Sequence, residues 1–103
     1  WNGVGIKAPV GTPVKSVAAG EVVFTEMQST YGLLVIVQHG AGDYSSYSSL
    51  ASIAVKRGQK IIKGEVIGTV GEADPDLGPR LHFEIRRGAG TSVDPLDWLR
   101  RQP

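Results

Sequence analysis

The segment Arg80-Leu81-His82-Phe83-Glu84-Ile85-Arg86 alternates polar and apolar residues, the pattern of a β-strand with one face buried. Its polar row sets an imidazole and a carboxylate between two guanidinium groups. An imidazole can ligate a metal or move a proton, but catalytic zinc needs about three protein ligands. Arg80 also places a fixed positive charge beside His82, which repels a cation. Glu84 is placed to pair with Arg80, His82 or Arg86. The second histidine, His39, stands before Gly40 at the end of an apolar run and reads as a hydrogen-bonded turn residue. Cysteine is absent, so neither a thiolate metal site nor a disulfide frame is available.

The elements that must position this row are short. Fourteen glycines and six prolines divide the 103 residues, and no long stretch sustains a helical period. Strands are expected at 14–17, 21–25, 33–37, 43–47, 65–70 and 81–86. The run Leu33-Leu34-Val35-Ile36-Val37 suits a central strand buried on both faces. The Gly40-Ala41-Gly42 turn joins it to the polar segment 43–47 as a hairpin. Leu50 to Ile53 is read as a short helical turn. Asp94-Pro95-Leu96-Asp97-Trp98-Leu99 carries an N-cap and a first-turn proline, predicting a short C-terminal helix with Trp98 on its apolar face. An internal echo adds order: Gly11-Thr12-Pro13-Val14 leads to Gly20-Glu21-Val22, and Gly58-Gln59-Lys60-Ile61 leads to Gly64-Glu65-Val66.

Composition bounds the rest. One domain of this length buries roughly two-thirds of its unfolded surface. Hydrophobic residues make up 41% and charged residues 20%, values of a globular protein rather than a disordered one. A net charge of +1 gives no general attraction for nucleic acid or anionic lipid. No apolar run reaches the length of a membrane span. The chain starts at Trp1 without an initiator Met or signal peptide, so it is expected to be a fragment of a longer protein, with residues 1–103 forming a single domain.

Trp1-Asn2-Gly3-Val4-Gly5-Ile6, Ala8-Pro9-Val10-Gly11-Thr12-Pro13-Val14, Tyr31-Gly32-Leu33-Leu34-Val35-Ile36-Val37-Gln38-His39-Gly40, Gly64-Glu65-Val66-Ile67-Gly68, Leu81-His82-Phe83-Glu84-Ile85-Arg86 and Val93-Asp94-Pro95-Leu96 occur in this order. Together they resemble the LytM, or lysostaphin-type, metallopeptidase domain. The resemblance implies an all-β fold of antiparallel sheets with pseudo-duplicated hairpins (a duplicated hybrid motif) and a short C-terminal helix. Members that cut peptides bind zinc through an H-x-x-x-D pair and the second histidine of an H-x-H strand. Here that pair falls on Trp1 and Gly5, the assisting histidine of a Tyr-x-His element falls on Ser49, and H-x-H becomes Arg80-Leu81-His82. The resemblance therefore points to the degenerate branch that activates murein hydrolases, with no catalytic residue, metal or cofactor.

For that branch the implied partner is a periplasmic zinc amidase acting on peptidoglycan during daughter-cell separation. Its regulatory helix would lie in the emptied groove. Peptidoglycan is a second candidate ligand, and a coiled coil absent from these residues would contact the division apparatus. The expected groove residues are Asn2, Gly5, Tyr31, Tyr47, Ser49, Arg80, His82 and Arg86, with Trp1 packing nearby and Trp98 in the core. Nucleic acid is not an expected partner, and the expected location is periplasmic. The competing readings are a passive peptidoglycan-binding module, a residual zinc endopeptidase, and a phosphocarrier using His39 and His82.

Overall fold

The computed structural model describes residues 3–28, 32–40, 42–87 and 91–93, which form nine strands and no helix. The strands are β1 (Val4–Lys7), β2 (Pro13–Lys15), β3 (Gly20–Gln28), β4 (Gly32–Gln38), β5 (Asp43–Ile53), β6 (Lys60–Ile61), β7 (Val66–Val70), β8 (Arg80–Arg87) and β9 (Thr91–Val93). Their main path runs β1-β8-β5-β4-β3-β6, with β2 on β7, β7 on β5 and β9 on β8. Every pairing is antiparallel. The expected helix at 94–99, like Trp1, Asn2 and Tyr31, lies outside the described residues.

Register assigns the faces. Val22 pairs with Val37, Val35 with Tyr47, Tyr47 with Phe83, and Ser45 with both Val37 and Ile85. Directly opposed residues of an antiparallel pair share a face, so these side chains converge on one side and are buried there. Val14, Leu50, Val55, Ile61, Ile67 and Val70 complete this core. The continuous apolar run of β4 is used on both sides. Val35 and Val37 face the core, while Leu34 is buried and Ile36 half-buried on the other face.

The two echoed units pair with each other rather than closing on themselves. β2 of the first lies on β7 of the second, and β3 of the first lies on β6 of the second. The turn glycines fasten this exchange in matching fashion. Gly11 N–H donates to the Val70 carbonyl and Val70 N–H to that of Thr12, while Gly58 N–H donates to the Val22 carbonyl and Val22 N–H to that of Gln59.

Leu50 to Ile53 corrects the sequence reading. These residues continue β5 instead of forming a helical turn, with Leu50 opposite both Leu33 and Val70 and Ile53 opposite Gly68. Ser49, at a positive φ of 63°, and the register shift between Leu50 and Ser52 bend the strand, so it leaves the β4 ladder to join β7.

Gly20 sits where β3 begins, beneath the end of β4. A Cβ there would overlap the Gln38 carbonyl oxygen and stand 2.8 Å from Val37 Cγ1. Gly20→Ala is expected to lower stability by about 1–3 kcal/mol, measurable as a fall in the urea midpoint.

Candidate partner-binding groove

The face opposite the core is built by the alternate residues of four strands. From β8 come Arg80, His82, Glu84 and Arg86. Across β5 lie Ser48 opposite His82, Ser46 opposite Glu84, and Tyr44 opposite Arg86. β4 adds Ile36 opposite Ser46 and Gln38 opposite Tyr44, and β3 adds Phe24 opposite Ile36. On the other flank β1 sets Gly5 opposite His82 and Lys7 opposite Arg80. The floor is polar and basic along β8 and apolar along β3 and β4, where Phe24 and Ile36 are half-buried.

Arg80 occupies the space left by Gly5. A Cβ on Gly5 would stand 2.7 Å from Arg80 Nη1 and 3.4 Å from its Cζ. Arg80 Nη2 donates a long 3.4 Å bond to the Leu77 carbonyl, and its buried Nε finds no acceptor among the described residues. Arg86 differs: Nε and Nη2 each lie 2.9 Å from Glu84 Oε1, so that pair neutralises itself at the solvent-exposed end of the row. Gly5, Arg80 and His82 are thus brought together, with Arg86 about 13 Å beyond His82 along the strand.

Tyr47 and Ser49 do not line this face as expected. Tyr47 exposes 1% of its surface, and its ring packs against Phe83 with centroids 5.4 Å apart. Its hydroxyl accepts the Val17 N–H at 3.1 Å and lies 2.9 Å from Ser45 Oγ. Ser45 Oγ in turn lies 2.6 Å from His39 Nε2, and His39 Nδ1 lies 2.8 Å from the Ala19 carbonyl. A carbonyl only accepts, so Nδ1 carries a hydrogen. His39 is the bonded turn residue that its position suggests. Ser49 is buried, turned by its positive φ toward residues 71–73, where its Oγ accepts the Ala73 N–H and its carbonyl the Gly71 N–H. Asn2 and Tyr31 lie outside the described residues. Sequence reasoning missed Lys7, Phe24, Ile36 and Tyr44 as floor residues. The signal for Lys7 was its two-residue step from Gly5.

Among the described residues the donor set does not fit zinc. Among the described residues no three His, Cys, Asp or Glu side chains gather closely enough to hold an ion. Beside Gly5, where the resemblance places a carboxylate, stands the Arg80 guanidinium.

The family model of peptidase family M23 matches residues 1–95. The chain belongs to peptidase family M23. Murein hydrolase activator EnvC of Escherichia coli is 42% identical over 101 residues, covering 98% of this chain and 24% of that protein. Cell division protein DipM of Caulobacter vibrioides is 44% identical over 86 residues, 82% of this chain and 14% of that protein. The catalytic domain of the antimicrobial peptidase lysostaphin from Staphylococcus simulans superimposes with a TM-score of 0.88 at 27% identity, covering 97% of this chain and 79% of that one. This M23 chain spans about a quarter of the length of the first curated relatives it matches. Its fold is therefore that of M23 peptidases, with Gly5 where the resemblance places a zinc ligand and Arg80 where it places an assisting histidine.

Burial pushes the Tyr47 phenol above its ordinary value of 10.0, partly offset by hydrogen bonding with Ser45, Val17 and Ser16. The unfolded chain therefore ionises first, and the stability tied to this group, complete below pH 10, is lost as pH rises through the folded value. Tyr47→Phe is expected to cost about 1–3 kcal/mol near neutrality, because Val17 N–H loses its acceptor, and to flatten the alkaline loss. Urea titrations of both proteins from pH 8 to 11 check both effects.

Proposed function

We propose that this M23 domain is a non-catalytic activator of periplasmic peptidoglycan amidases that works by receiving the amidase's regulatory helix in its groove. The observation that carries this reading is the guanidinium of Arg80 standing in the space over Gly5. A fixed cation there opposes zinc and leaves a surface for recognition. Similarity to a murein hydrolase activator and to a cell division protein supports the cell-wall setting. Among the described residues no helix is long and apolar enough to cross a membrane, and the periplasm is the compartment in which such an activator meets its amidase.

The floor suits a helix. β4 and β8 are two strand spacings apart, about 10 Å, close to the diameter of a helix with its side chains. An amphipathic helix lying there sets its apolar stripe over Ile36 and Phe24 and its polar edge along β8. Activation is then a shift in population: the helix prefers this groove to the amidase active site. Moving a nearly closed enzyme to a nearly open one requires about 5.5 kcal/mol of differential binding, within reach of a few desolvated anchors.

The test is a reconstituted assay of a purified periplasmic amidase on labelled peptidoglycan, with and without this domain. Addition is expected to raise hydrolysis, while the domain alone releases nothing. Arg86→Glu is expected to reduce the stimulation at least about tenfold. Its pair with Glu84 is half exposed at the Arg86 end, so the fold loses no more than about 1 kcal/mol. Co-sedimentation with peptidoglycan without any stimulation would identify a passive wall-binding module instead, and muropeptide cleavage by the domain alone would identify an endopeptidase.

A further inference from the structure

We infer that Arg80, Lys7 and His82 form a carboxylate subsite that takes an acidic side chain from the helix of a protein partner. Lys7 and Arg80 are directly opposed across β1 and β8, an arrangement in which like charges repel. Arg80 has a buried, acceptorless Nε and one long bond to a backbone carbonyl. No carboxylate forms an ion pair with either cation among the described residues, Glu72, Asp74 and Asp76 of the adjoining loop included. Glu84, the acid of the same row, is held by Arg86. What this end of the groove offers among the described residues is therefore unused donors and uncompensated positive charge, in contrast to the self-neutralised Glu84–Arg86 end. An anion between Lys7 and Arg80 relieves the repulsion and accepts from the terminal guanidinium nitrogens. A carboxylate matches the planar guanidinium fork, and the surface beside Lys7 is apolar, formed by Ala8, Pro9, Leu77 and Pro79. Such a rim suits an acidic residue carried on an amphipathic helix.

Only the identity of the carboxylate's owner rests on the activator reading, and the experiment separates the two. The side-chain NMR signal of Arg80 Nε–H is followed in the purified domain during titration with sodium acetate and, at matched ionic strength, sodium chloride. Acetate is expected to shift the signal to saturation and chloride to leave it in place. Lys7→Gln should weaken acetate binding about fivefold. Gly5→Asp, which sets a built-in carboxylate against Arg80, should abolish the response. Arg80→Gln removes the reporting signal, so in that variant the Lys7 and His82 side-chain signals are followed and should not respond. No acetate-specific shift, or an undiminished one in Gly5→Asp, overturns the subsite whatever the amidase assay shows. A second pair of ligands tests the source. A doubly blocked helical peptide with a single Glu should saturate the site at lower concentration than a muramyl tripeptide bearing a free C-terminal carboxylate. The reverse order overturns the assignment to a protein partner.

Discussion

The structure depends on one register, that of β8 against β5, in which Tyr47 faces Phe83 and Ser48 faces His82. A strand's side chains alternate strictly, so a slip of one residue would turn Phe83 and Ile85 outward and bury Arg80, His82, Glu84 and Arg86. Burial of two large side chains excludes that alternative. Tyr47 strengthens the choice because its hydroxyl is bonded as well as buried, which holds its ring on the core face against Phe83. The groove's chemistry is thus a by-product of the core's packing.

From that register follows the electrostatic asymmetry of the exposed face. One end of the β8 row neutralises itself through Glu84 and Arg86, while the other sets Lys7, Arg80 and His82 on one face with no ion pair to an acid among the described residues. In a hydrolytic M23 site the middle of such a face would present ligands to a cation. Here the guanidinium is itself the cation, bound covalently to the strand. A fixed positive charge at this end of the face favours an anion over a metal ion.

The parity of β8 was legible because Leu81, Phe83 and Ile85 make an unbroken apolar row against charged neighbours. β5 was not. Its buried row begins with Ser45 and its groove row includes Tyr44, so the sequence Tyr44-Ser45-Ser46-Tyr47-Ser48-Ser49 offers no hydrophobic contrast by which to tell the faces apart. Tyr47 is expected in the groove because the resemblance sets it just before the Ser49 position, and nothing in the local pattern opposes that placement. The positive φ at Ser49 then interrupts the alternation, which no local pattern announces, and this also disguised 50–53 as a helical turn. The duplicated units were visible as an echo, but an echo does not reveal which strands it pairs. The Gly5 vacancy was readable from the resemblance. Its filling by Arg80 depends on the pairing of β1 with β8, which no local pattern specifies.

The exchange of strands between the two units carries a kinetic consequence. Neither unit can complete its hydrogen bonding until the other, some forty-five residues away, has been made. Loop closure must precede any reward from contact, a condition associated with slow folding. A ribosome-bound chain ending before β7 would hold β2 without its ladder partner, leaving a bare strand edge open to unintended pairing. Quality control during synthesis would therefore act most strongly on the interval between completion of the first unit and arrival of the second.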